Sequence, residues 1–523
     1  MRIHSLVRAP LAGVLAAAAL LAGCGSDDGP GADGAPVSGA DGQGEATVVQ
    51  GVDPTTMDPL QQRETTTVNV LQHFYDALIE RDTEDPTKFR PMLAKSWERV
   101  DDTTLRLELE TGAKFSDGST FDAMDVEYTF DYLLGELPGM DPAIASYQFE
   151  TVKDAKAIDA DTVEVTTKDP DPLLFHRLAA LLIVPEGAVD DDPDALASDP
   201  VGTGAYELVE WRRNDRVVMK ARPDYFREAP AIADVVFRTM PEASSRLAAL
   251  QAGQVDIITN VPADNAVEVE GSGSAVVKSV ESSRIASVWL NMIESPELKK
   301  PEVRVALNHA VDVDTIIEQV MSGYGVRVAT IVPPYFTNYD STIEPIPYDP
   351  ARARELLAQA GYPDGLRLEL MVPQGRYPFA SEVTQAIASY LGEVGVEVKV
   401  NTVDFGVFAE ATQARKIPDG FFGAWGEEFF NPIDELNVAV ITGDKGFSWY
   451  SNPEIDRLTE EAGRTLDAQK QQDLVSQIQE LMLQDPPFIF LFAYEDLYGV
   501  SNRLAWEPRR DESIYMYEAK LTG

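Results

Sequence analysis

Cysteine is all but missing from this 523-residue chain, and the single thiol, Cys24, leaves no partner for an intrachain disulfide. Histidine is scarce as well. His4, His73, His176 and His309 fall at no ligand spacing, which argues against a zinc centre. The chain has no P-loop, no HExxH helix and no GxSxG elbow, and nothing in its motifs implies a cofactor or metal. Cationic residues are few: 43 Lys and Arg stand against 87 Asp and Glu, a formal charge of -44. Such a surface repels nucleic acid and anionic lipid headgroups. The charge is spread along the chain, so it reads as solubility or adaptation to salt and not as a site. No apolar run is long enough to span a bilayer.

What is present begins with an export pattern. Arg2 and Arg8 precede the apolar run Leu11–Leu21, the length of a signal core and too short for a membrane span. Leu21-Ala22-Gly23-Cys24 resembles the bacterial lipobox, which implies a lipoprotein signal peptide over 1–23 and lipidation of Cys24. Residues 24–46 are rich in Gly, Asp and Ala and read as a flexible linker. The remaining length accommodates about three domains at ~150 residues each.

Strands are predicted at Thr47–Val52, around Leu105–Leu109, over Lys153–Thr167 as a hairpin, and at Tyr206–Trp211 and Arg216–Ala221. Helices are predicted at Asn69–Glu80, at Phe121–Leu134 with Asp122 as cap, and at Ser244–Ala252. Farther on, Asp349-Pro350 caps a helix that ends at Gly361, and Leu366, Leu368 and Leu370 alternate as a strand. Ala380–Gly392 is helical, Val396, Val398 and Val400 alternate, Phe408–Ala414 is helical, and Phe421–Trp425 is the next strand. Strand, helix, strand, helix, strand is the pattern of parallel βαβ units, whose ligands bind beyond the carboxyl ends of the strands.

Two loops leave such ends. One carries Arg376 and Tyr377, with Phe379 close behind; the other, in FFGAWGEEFFNPIDEL over 421–436, sets Glu427 and Glu428 among Trp425, Phe429 and Phe430. An arginine and an acid on one cleft edge suit a zwitterion, with carboxylate on guanidinium and ammonium on acid. The competing reading is a surface loop with solvated glutamates beside core aromatics. Phe429 is a candidate ligand contact, the Glu427 carboxylate is expected to face solvent, and Tyr377 and Phe379 serve equally well as packing residues.

An ordered series of segments carries a family resemblance. Leu93-Ala94-Lys95-Ser96-Trp97-Glu98, Phe115-Ser116-Asp117-Gly118, Gly202-Thr203-Gly204-Ala205-Tyr206, Leu250-Gln251-Ala252-Gly253, Tyr348-Asp349-Pro350 and Asn452-Pro453-Glu454 resemble, in sequence order, the bacterial extracellular solute-binding proteins of family 5. These are the peptide- and nickel-type receptors of ABC importers. The resemblance implies an α/β fold of the two-lobed periplasmic-binding-protein type II kind, cluster C, with an added α+β subdomain. Lobe I is expected from 47–82, 201–284 and 489–523, with the α+β subdomain at 83–200 inserted; lobe II is expected over 285–488. In peptide-binding members a tryptophan precedes by three residues an aspartate that holds the ligand's amino group. Trp425 and Glu428 are similar to that pair, with glutamate for aspartate, and Arg376 resembles the arginine that takes the ligand carboxylate.

The expectation is therefore a monomeric, non-catalytic receptor, lipid-anchored outside the cell membrane, that delivers a small peptide to a permease. A sugar, an opine or a metal chelate remains open as the solute, as does a sensor or adhesin on the same fold. A secreted hydrolase using Glu427 and Glu428 as a carboxylate pair fits poorly, because adjacent residues on an extended chain point to opposite sides.

Overall fold

Strand β1 (Glu45–Gln50) is buried along nearly its whole length, and the short helix α1 (Thr65–Leu71) follows it. The computed structural model describes residues 44–522 except 63, 83, 84, 86, 427, 428 and 444–447, so Cys24, Glu427 and Glu428 lie outside the described residues. The helix predicted over 69–80 is corrected: it stops at Leu71, and Ile79–Arg81 pairs as a strand with Phe89–Pro91. Tertiary hydrogen bonds override the helical spacing, since the carbonyls of His73 and Phe74 accept from Tyr206 and Gly204, each at 2.9 Å. A Cβ on Gly204 would collide with the Phe74 carbonyl, so the approach requires glycine.

Strands β2 (Ala94–Arg99), β3 (Thr104–Leu109), β4 (Val152–Asp159) and β5 (Thr162–Thr167) form a separate antiparallel sheet in the order β2-β3-β5-β4. Leu105 and Leu107 pair across it with Val165 and Val163, all four side chains buried. Helix α2 (Ala123–Leu134) starts at a reciprocal cap: Asp122 accepts from the Met124 amide at 2.8 Å, and Asp125 accepts from the Asp122 amide at 2.7 Å. Helix α3 (Leu174–Ala180) follows β5.

Ten further strands join β1 in one 11-stranded sheet. They are β6 (Tyr206–Arg212), β7 (Arg216–Ala221), β8 (Asp234–Thr239), β9 (Ile257–Ile258), β10 (Ala275–Leu290), β11 (Gly325–Arg327), β12 (Leu366–Gln374), β13 (Val396–Asp404), β14 (Gly420–Gly426) and β15 (Phe488–Ser501). The order is β13-β12-β14-β10-β15-β9-β1-β8-β7-β6, with β11 paired to β15. Strands β12, β13 and β14 are parallel neighbours, as the βαβ pattern predicts. Between them run α4 (Ala380–Glu393) and α5 (Phe405–Gln413), and α6 (Pro432–Glu435) follows β14 with Asn431 as its cap.

Strands β10 and β15 link the two ends of this sheet. Their antiparallel register runs from Ala275 opposite Ser501 to Glu281 opposite Glu495, breaks, and resumes at Ile285 opposite Ala493. On one side of the break β15 pairs with β9; on the other β10 pairs with β14. Separate cores fill the two halves: one gathers Val48, Phe74, Phe237 and Met516, whereas others gather Leu368, Val383 and Phe422, and Phe421, Phe430 and Trp449. Among the described residues no helix is long and apolar enough to cross a membrane, and no His/Cys/Asp/Glu group is placed to hold a metal.

Candidate ligand site

A cavity of about 350 Å³ opens where β12 and β14 end. Arg284 and Trp289 reach it from β10, and Arg376 and Tyr377 from the loop after β12. Phe405 and Phe408 line it from α5, and Phe421, Gly423, Trp425 and Gly426 from β14. Parallel pairing of Leu370 with Gly420 and Met371 with Phe421 sets both loops on one edge of the sheet.

Aromatic rings hold one another in place along these walls. Trp289 stacks on Phe421 with centroids 5.4 Å apart, Phe408 meets Phe421 edge-on at 5.4 Å, and Phe405 stacks on Phe408 at 6.1 Å. The exposed Arg376 guanidinium lies 5.1 Å from the Tyr377 ring and 5.6 Å from the Phe405 ring. No described carboxylate pairs with it. Arg284 has a looser partner in Glu512, at 3.7 Å. A Cβ on Gly426 would lie 3.1 Å from Arg284 Nη2, so the bare backbone admits that guanidinium to the wall.

Beside Arg284, next to the break in the β10–β15 register, Asp496 is half-buried. Burial first, then the charge of Glu512, raises its carboxyl to about 7, against smaller opposing effects of a Ser282 hydrogen bond and Arg284. Its Oδ2 atom has no hydrogen-bond partner.

The sequence-predicted residues separate in space. Arg376, Tyr377 and Trp425 share the cavity, whereas Phe429 does not line it. Phe429 is buried against the other half, its ring 6.1 Å from His176 and 5.3 Å from the Arg177 guanidinium. Phe430, next along, lies under Arg81. In sequence, Glu427 and Glu428 fall between Trp425 and Phe429, and they lie outside the described residues. Phe379 packs against hydrophobic clusters of both halves rather than lining the cavity. Burial, with Arg81 and Arg177 alongside, pushes His176 well below its usual range, so it is neutral where it meets Phe429.

Sequence reasoning missed Arg284, Trp289 and Phe405 as wall residues. The legible signal was Arg284 itself, a cation immediately before the largely apolar run Ile285–Leu290. A second, smaller cavity of about 160 Å³ lies in the other half, where Asn69, Gln72, Arg81 and Asp511 meet. The Oε1 atoms of Gln62 and Gln72 on its walls are buried without partners.

Two cores on a sheet threaded by two shared strands, with a cavity at parallel strand ends, define the two-lobed binding-protein fold of type II, cluster C. HbpA2 from Haemophilus parasuis superposes with a TM-score of 0.83 at 21% identity, over 92% of this chain and 100% of that one. DppA from Helicobacter pylori, in complex with the peptide STSA, gives 0.74 at 23% identity, over 91% of this chain and 98% of that one. The chain belongs to the bacterial extracellular solute-binding proteins, family 5, whose middle-region model matches residues 88–447. It is also 28% identical over 493 residues to the glutathione-binding protein GsiB of Pectobacterium atrosepticum, covering 91% of this chain and 94% of that protein.

Proposed function

We propose that this chain is the extracytoplasmic substrate-binding component of an ABC importer, and that its solute is a small peptide held without catalysis and passed to the permease. The observation that carries this reading is the convergence of Arg376, Tyr377 and Trp425 on one cavity. The Arg376 guanidinium takes the ligand carboxylate, Glu428 takes its ammonium, and Tyr377 flanks the arginine. Phe429, buried beside His176 and Arg177, packs away from the cavity. Glutathione, for which the relative GsiB is named, is itself a tripeptide with an ammonium and carboxylates.

Lobe I comprises 47–82, 201–284 and 489–523 with the subdomain at 83–200, and lobe II comprises 285–488. The lobes turn on β10 and β15 at the register break, and the ligand stabilises the closed form by binding it more tightly than the open one. Cys24 carries the lipid that tethers a monomer to the cell membrane.

A thermal-shift screen across di- to pentapeptides, oligosaccharides and nickel chelates tests the reading. Peptides raise the melting temperature and the other two classes do not. A shift with oligosaccharides or chelates alone replaces the peptide with that solute.

A further inference from the structure

The cavity walls are unlike the rest of this acidic protein. Among the described residues lining the cavity the only charges are the guanidiniums of Arg284 and Arg376, while the whole chain carries a formal charge of -44. Apart from Gln413, the other large side chains on the walls are aromatic. Phe405 is 44% exposed, its ring centre 5.6 Å from the Arg376 guanidinium carbon.

An exposed aromatic ring on a cavity wall leaves apolar surface for a ligand to cover, and rings favour stacked or edge-on partners over aliphatic ones. Phe405, Phe408, Phe421 and Trp289 already adopt such geometries among themselves. Two guanidiniums disfavour a cationic side chain in the same space. Because Arg376 lies so close to Phe405, one ligand residue can reach both, its carboxylate on the guanidinium and its side chain on the ring.

We infer that this cavity selects peptides whose carboxyl-terminal residue bears a large aromatic side chain, with Phe405 and Phe408 covering the ring and Arg376 holding the adjacent carboxylate. The inference rests on the peptide reading above. A volume of about 350 Å³ is at the small end for a ligand pocket, enough for one aromatic residue and the peptide unit before it.

Isothermal titration calorimetry on the purified protein with Ala-Phe, Phe-Ala, Ala-Ala, Ala-Lys and Ala-Phe amide tests it. Ala-Phe binds about tenfold more tightly than Ala-Ala, and Phe-Ala and Ala-Lys gain no such advantage. Amidation of Ala-Phe weakens it, and Phe405→Ala collapses the ratio of Ala-Phe to Ala-Ala, with Phe405→Leu intermediate. Equal binding of Ala-Phe and Ala-Ala, or a preference for Phe-Ala, overturns the inference and leaves the peptide receptor standing. If none of the peptides binds, both fall.

Discussion

The guanidinium of Arg81 lies 5.1 Å from the centre of the Phe430 ring, so that a residue of one half covers the loop leaving β14 in the other. Phe430 is fully buried at a φ of 52°, and its carbonyl accepts from the Thr337 amide at 2.8 Å and the Thr337 hydroxyl at 3.1 Å. Phe430→Ala removes a buried ring and should cost about 3 kcal/mol of stability. Urea unfolding checks the loss. Small-angle scattering should also show weaker compaction on adding peptide, because the closed form loses the Arg81 contact.

Arg376 and Glu428 are expected to hold opposite ends of the ligand. Arg376→Ala should weaken a free-carboxylate peptide by about 2 kcal/mol, on the order of thirtyfold in Kd, and an amidated peptide far less. Glu428→Ala should abolish the peptide-induced thermal shift while leaving the ligand-free melting temperature nearly unchanged. Calorimetry and thermal shift read the two outcomes, and a Glu428→Ala protein that still responds to peptide removes the ammonium anchor.

Gly426→Ala should displace the Arg284 guanidinium, because the new Cβ would lie 3.1 Å from Nη2. The expected loss is about tenfold in peptide affinity, or about 1.4 kcal/mol, with little change in unfolding. Unchanged affinity would mean that Arg284 has no part in holding the ligand.

Asp496 gives the pH dependence. Its carboxyl, raised to about 7 by burial and Glu512, binds a proton in the fold that an unfolded aspartate releases near ~3.9. Between those values the folded protein holds more protons, so this group's contribution to stability falls as pH rises through the window. Asp496→Asn should therefore raise Tm by about 2 °C at pH ~8 and leave it unchanged at pH ~4. Scans at both pH values, with Glu281, Glu495, Glu512 and Arg284 left intact, isolate the effect.

The parallel strands and their helices were legible because alternating leucines and valines, an Asp349 cap with Pro350 behind it and glycine stops all agree locally. Helix α2 and the β4–β5 hairpin were legible for the same reason. Helix 69–80 failed because the chain beyond Leu71 makes hydrogen bonds to residues more than a hundred positions away, which no local spacing records. The continuity of β10 and β15 through both halves was equally hidden, since their pairing joins distant stretches. At the site, Arg376, Tyr377 and Trp425 could be found from the strand ends, whereas Trp289 and Phe405 look like any other core aromatics until the sheet brings them together.

The break in the β10–β15 ladder has a mechanical consequence. With two paired strands in place of a loose connector, turning one half against the other must be absorbed by the few residues around Ser283. Arg284 sits at that fulcrum and on the cavity wall alike. A small twist there sweeps a wide arc at the outer lip, while the wall nearest the fulcrum hardly moves.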